Sequence, residues 1–104
     1  MIEMEFHVTK EIFQDVKNGT KLNEYRDYKT YWKNRLEKIV VPEDGFIVEG
    51  YTKNKIPITI MEINVMHKMY IKNKVYRSFI KPYFCFDIRY KIKNCKGKFM
   101  ENQK

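Results

Sequence analysis

Residues that most often announce catalytic or metal chemistry are scarce in this chain. Cys85 and Cys95 are its only cysteines, and neither a Cys-x-x-Cys pair nor a Cys/His cluster accompanies them. A structural zinc site is therefore not expected, and both thiols are read as free in a reducing compartment. His7 and His67 have no Ser or Cys partner at a recognisable spacing, so both read as ordinary residues. No apolar run approaches the roughly 18 to 20 residues needed to cross a bilayer, and no basic leader followed by an apolar block is seen. The expectation is a soluble, cytoplasmic protein with no membrane partner, no metal and no cofactor. No internal repeat is visible.

Acidic residues are scarce in one half only. The formal charge is +8 over 104 residues. Residues 1–52 hold 8 Lys/Arg against 10 Asp/Glu, whereas residues 53–104 hold 13 against 3. A half so basic implies a polyanionic partner or a solvated surface. The length suits one hydrophobic core and no more, which places a single domain over residues 1–92 and a polar C-terminal tail over 93–104.

Ile2, Met4, Phe6 and Val8 alternate with Glu3, Glu5 and His7, the period of a half-buried strand. Thr9 can cap a helix over Lys10 to Asn18 with Ile12, Phe13 and Val16 on one stripe, and Gly19 suits its left-handed end. A strand from Lys21 to Asp27 follows. Asp27 or Thr30 can cap a second helix in which Trp32, Leu36 and Ile39 face the core. A turn over Pro42 to Gly45, a short strand over Phe46 to Tyr51 and a polar hairpin turn over Thr52 to Lys55 come next.

Ile56 to Met66 reads as a long central strand covered on both faces, since Ile58 and Ile60 alternate with Met61, Ile63 and Val65. Over His67 to Pro82, Ile71, Val75 and Phe79 fit one face of a helix, although Asn73-Lys74 also suits a turn. Phe84, Phe86, Ile88, Tyr90 and Ile92 then alternate perfectly with Cys85, Asp87, Arg89 and Lys91, the clearest strand of the chain. This order gives an α+β domain with a curved or barrel-like sheet and two to three short helices, because short strands must be closed or covered to protect their edges.

The most informative stretch is Gly19-Thr20-Lys21-Leu22-Asn23-Glu24-Tyr25-Arg26-Asp27. Strand residues two apart share a face, so Glu24 and Arg26 project together, with Lys21 beside them where the strand begins. The trio can hold a barrel mouth together as an ion-pair network, or it can grip a polar ligand. Arg26 offers a planar fork, Glu24 accepts from an exocyclic amine and Lys21 supplies a mobile cation. Tyr28 and Tyr51 are candidates for stacking on a base, whereas Trp32 shares the core stripe of Leu36. Lys68, Lys72, Lys74, Arg77 and Lys81, interleaved with Tyr70, Tyr76 and Phe79, suit a nucleic-acid backbone with exposed bases, or else a solvated face.

These pieces together resemble the ASCH domain family, a branch of the PUA-like fold, over roughly residues 5 to 66. Gly19 to Arg26 looks like the family's Gly-x-Lys-x-x-Glu-x-Arg signature. Tyr31-Trp32-Lys33-Asn34-Arg35-Leu36 is similar to the aromatic-rich helix of small phage-type members, and Gly50-Tyr51 with Pro57 precedes a long strand. The resemblance implies a small PUA-like β-barrel with a cleft beside the signature strand. It also implies RNA or nucleotide binding, with amidohydrolase or ribonuclease activity in some members. In an enzyme of that type Lys21 and Glu24 are the catalytic candidates. Glu24, however, stands where the amidohydrolase branch has a threonine, and no second acidic catalytic residue can be placed, which favours binding. Likeness to phage-type members raises a second expectation: an inhibitor, in the host cytoplasm, of a defence complex such as a CRISPR nuclease. At +8 it would contact nucleic acid within that complex or an acidic protein patch rather than mimic DNA.

Overall fold

A computed structural model describes residues 4–93 of the chain. The elements run β1 (Met4–Val8), α1 (Lys10–Lys17), β2 (Asn23–Asp27), α2 (Thr30–Leu36), β3 (Glu43–Glu49), β4 (Lys55–His67), a 3-10 turn (Lys68–Tyr70), α3 (Lys74–Ser78) and β5 (Phe84–Ile92). The five strands form one sheet in the order β1-β3-β4-β5-β2, curled into a half-barrel. β1 lies parallel to β3, and the other neighbours are antiparallel. β1 and β2 are thus the two edges of the sheet. The α+β class and curved sheet expected from the sequence are found.

The helix ends follow from side-chain chemistry. The Thr9 hydroxyl accepts the Ile12 amide at 3.2 Å, and Gly19 takes φ 78° just beyond the end of α1. Neither expected cap begins α2: its N-cap is Lys29 with no side-chain hydrogen bond, Thr30 is its first helical residue, and the Asp27 carboxylate meets Lys29 Nζ at 3.4 Å and the Lys81 amide at 3.3 Å. The core gathers Ile12, Phe13 and Val16 of α1 and Leu36 of α2 against Phe6, Ile47, Ile58, Ile60, Phe86 and Ile88 of the sheet. Each such side chain contributes about 1.5 to 3 kcal/mol before entropy is subtracted.

Four expectations require correction. The turn expected to run to Gly45 is shorter: β3 begins at Glu43, just after the cis Val41–Pro42 bond. Gly45 instead pairs with Met4, where a Cβ would stand 2.8 Å from the Met4 carbonyl oxygen. The missing side chain lets β1 approach. β4 is central but is not covered on both faces, for Met61, Glu62 and Asn64 are exposed. Ile60 opposes Tyr90 and Glu62 opposes Arg89, so Met61 is an extra bulged residue. Beyond it Ile63 opposes Ile88 and Val65 opposes Phe86, on the face already carrying Ile58 and Ile60. Two apparent apolar faces are one face with a one-residue insertion.

The helix expected through His67 to Pro82 is only α3, five residues long, begun by Asn73 whose side chain accepts the Val75 and Tyr76 amides. Val75 and Phe79, placed on a core face from their spacing, are 62% and 53% exposed, while Ile71 and Ile80 are buried with Cys85 in a second small cluster. The cap breaks the helix before its stripe can form. Lys93, assigned to the tail, donates its amide to Pro57 and its Nζ to Asp44 at 2.9 Å. Ile2, Cys95 and the rest of the tail lie outside the described residues. Among those described, no helix is long and apolar enough to cross a membrane.

Candidate functional site

The strand expected from Lys21 begins only at Asn23, yet β2 and the Lys21 just before it bring Lys21, Glu24 and Arg26 to one place. Glu24 Oε1 lies 3.3 Å from Lys21 Nζ, and Glu24 Oε2 lies 2.6 Å from Arg26 Nη2. Lys21 Nζ also donates to the Asn23 carbonyl oxygen. The Lys21 and Glu24 side chains are 8% and 6% exposed and that of Arg26 is 19% exposed. Lys21 is consequently a pinned cation and not the mobile one expected. Its main chain is fixed as well, because the Tyr90 hydroxyl donates to the Lys21 carbonyl oxygen at 2.7 Å. Burial, with the Glu24 carboxylate second, pushes the Tyr90 phenol upward, so it remains a donor.

Arg26 does more than pair. Its Nη2 donates to the His7 carbonyl oxygen at 3.0 Å, linking edge strand β2 to edge strand β1 by a side chain where no backbone ladder joins them. The guanidinium lies over the Trp32 and Phe6 rings at 5.1 and 5.5 Å, and the Lys21 ammonium over Tyr76 and Tyr25 at 5.2 and 5.4 Å. Beside this cluster opens a cavity of about 270 Å³, lined by the trio with residues of β1, α1, α2 and the α3 region. Trp32, Tyr25, Tyr76 and Phe79 supply its aromatic wall. Lys21 and Arg26 are balanced there by Glu24 and Asp27, so the lining is close to neutral. Among the described residues, Arg26 Nε is the buried side-chain nitrogen or oxygen left without a hydrogen-bond partner.

The two readings of the trio are thus compatible: it is an ion-pair network, and it lines a cavity. Other expected residues are dispersed. Tyr28 packs against the core with its ring 5.2 Å from Phe86 and Lys33 Nζ 4.2 Å from its ring centroid, and does not line the cavity. Tyr51 is 94% exposed and stacks on His7 at 5.0 Å, standing next to a lining residue without being one. In the basic set, Lys68 Nζ and Arg77 Nη1 donate to the Ile80 and Ile71 carbonyl oxygens, both at 3.2 Å, so both hold their own segment together. Lys72, Lys74 and Lys81 are exposed. Glu62 pairs with Arg89 at 3.3 Å on the surface, away from the cavity.

Sequence reasoning missed His7, Tyr25, Trp32, Tyr76 and Phe79 as lining residues. Tyr25 is the chain neighbour of Arg26, but His7, Trp32, Tyr76 and Phe79 come near it only through the approach of β1, α2 and the α3 region, which nothing in their local spacing signals. Tyr76 further donates its hydroxyl to the Asp15 carboxylate, tying α3 to α1 beside the cavity. Burial first, and that hydrogen bond second, push its phenol up from 10.0 to about 12. A raised folded-state value means that the stabilisation is complete below the unfolded value and is lost as pH rises through the folded one. Thermal melts should therefore show the midpoint falling between pH 10 and about 12, with Tyr76→Phe reducing the fall. An equal fall in the variant would disprove the assignment.

Among the described residues no group of three or more His, Cys, Asp or Glu could hold a metal ion. No protein-family model matches the chain, and no curated protein matches it.

Proposed function

We propose that the cavity between the sheet edges receives a base of an RNA strand or of a nucleotide. The observation that carries this reading is the nearly neutral, aromatic-walled cavity that Arg26 lines, whose Nε–H lies buried just behind that lining without a hydrogen-bond partner. A buried donor without a partner costs about 1 to 3 kcal/mol, which a carbonyl or ring nitrogen on a base edge would recover. A phosphate is a poorer occupant, since it would compete with Glu24 for both cations. The volume is below the roughly 300 Å³ at which sites for drug-sized molecules begin, which suits one base. Phosphates then lie outside, where the exposed Lys74 and Lys81 are near in sequence to the lining residues Tyr76 and Ile80. The resemblance of Gly19 to Arg26 to the ASCH signature supports the same class of ligand. The pinning of Lys21 by Glu24 and the Asn23 carbonyl favours binding over hydrolysis.

Trp32 is the single tryptophan of the chain and lines the cavity, so its emission reports occupancy. Titration with the four nucleoside monophosphates and with short RNA at low salt should give a saturable response. Arg26→Lys, which keeps the charge but loses the fork and the Nε, should weaken binding about tenfold or more. Absence of a response to every one of these ligands, or unchanged affinity in Arg26→Lys, would overturn the reading.

A further inference from the structure

We propose that the end of the β4–β5 hairpin, with the 3-10 turn joined to it, is a stacking platform for single-stranded RNA. This platform shares its partner with the cavity but does not depend on a base occupying it. No Asp or Glu occurs between Glu62 and Asp87, while five cations do: Lys68, Lys72, Lys74, Arg77 and Lys81. Lys72, Lys74 and Lys81 are exposed and have no carboxylate partner for their side chains among the described residues. In the same acid-free stretch Tyr70 is 75% exposed, Tyr83 74% and Phe84 49%.

The rings are held in fixed positions. His67 pairs with Phe84 across the β4–β5 ladder, its ring edge-on to Phe84 at 5.5 Å and nearly parallel to Tyr83 at 6.0 Å. The Lys68 amide donates to the Tyr83 carbonyl oxygen at 2.8 Å, and the Met69 amide to His67 Nδ1 at 3.2 Å, fastening the turn that carries Tyr70 to the strand end. A tyrosine stacked on one face and exposed over most of its area offers its other face at no further ordering cost. Flat rings among unpaired cations complement a strand that carries both bases and phosphates. A duplex, whose bases are already stacked, satisfies only the charge.

The test uses the full chain with four probes: a labelled oligouridylate, the same strand annealed to oligoadenylate, uridine monophosphate, and vesicles containing phosphatidylserine. The unaltered protein should prefer the single strand to the duplex. Tyr83→Ala and Tyr70→Ala, both at exposed positions, should each weaken single-strand binding roughly tenfold with the melting midpoint unchanged. Lys72→Ala and Lys74→Ala should each lower the salt slope by about 0.7. Trp32 emission on adding uridine monophosphate should stay as in the unaltered protein. If that emission never responds while Tyr83→Ala still loses oligouridylate, the cavity reading fails and the platform stands. Unchanged oligouridylate affinity in both tyrosine variants overturns the platform, as does equal affinity for duplex. Vesicle binding that is as tight as RNA binding and is lost in the same variants also overturns it, assigning the surface to lipid headgroups.

Discussion

Glu24→Ala is expected to destabilise the fold by roughly 3 to 5 kcal/mol, the range for removing one partner of a buried ion pair. The side chain is 6% exposed and touches two cations, so its loss leaves Lys21 with the Asn23 carbonyl and Arg26 with the His7 carbonyl as hydrogen-bond acceptors, beside the aromatic rings already around them. Neither carbonyl neutralises a charge. Lys21→Met should cost less, because it leaves Glu24 paired with Arg26 at 2.6 Å. In a cycle with Glu24→Gln the two sites should couple by about 0.5 to 3 kcal/mol, as residues in contact do. Urea denaturation at a temperature where all variants remain folded measures these quantities. A Glu24→Ala loss below about 1 kcal/mol would mean that the cluster is wetter than its burial indicates. The cluster also joins the sheet edges through Arg26, so nucleotide binding should fall together with stability.

Phe6→Ala is expected to cost about 3 to 5 kcal/mol as well, through a different mechanism: a large core side chain is lost and a cavity remains. Phe6 is 0% exposed, opposes Ile47 in the parallel ladder, stacks on Trp32 at 5.7 Å and lies beneath the Arg26 guanidinium. Phe86→Ala is the control, since Phe86 is 1% exposed in the same core but its ring meets Tyr28, which does not line the cavity, whereas Phe6 meets the lining residues Trp32 and Arg26. Both variants should lose similar stability in denaturant. Only Phe6→Ala should also shift Trp32 emission and weaken nucleotide binding. Equal effects on binding would show that the cavity responds to global stability and not to the packing of Phe6 behind the lining residues Trp32 and Arg26.

Local periodicity and capping carried much of the fold. Perfect alternation over Phe84 to Ile92 marks β5, and Thr9, the Ile12/Phe13/Val16 stripe and Gly19 mark α1. Each of these signals is written by residues within one turn or one pleat of each other. The same holds for the trio, where Lys21, Glu24 and Arg26 meet because they are near in sequence, Glu24 and Arg26 on one face of β2 and Lys21 just before it. Long-range effects defeated the rest. The Met61 bulge preserves composition while reversing which residues face inward, so a one-faced strand resembles a two-faced one. Between His67 and Pro82 the apolar residues have a helical spacing that the Asn73 cap interrupts.

By itself the sequence determined the element order, the α+β class, the charge asymmetry and the meeting of one carboxylate with two cations, all of which rest on neighbours along the chain. Only the tertiary structure decided that this cluster borders a cavity. That outcome requires β1 and β2 to come within reach of one side chain after the sheet has curled, and α2 and α3 to bring Trp32 and Tyr76 over it. It likewise separated two aromatic residues that both pack against the core, since Trp32 also reaches the cavity wall and Tyr28 does not. The physical reason is common to both: helical and strand spacing specify which residues share a face, whereas what that face meets depends on the curvature and closure of the whole sheet.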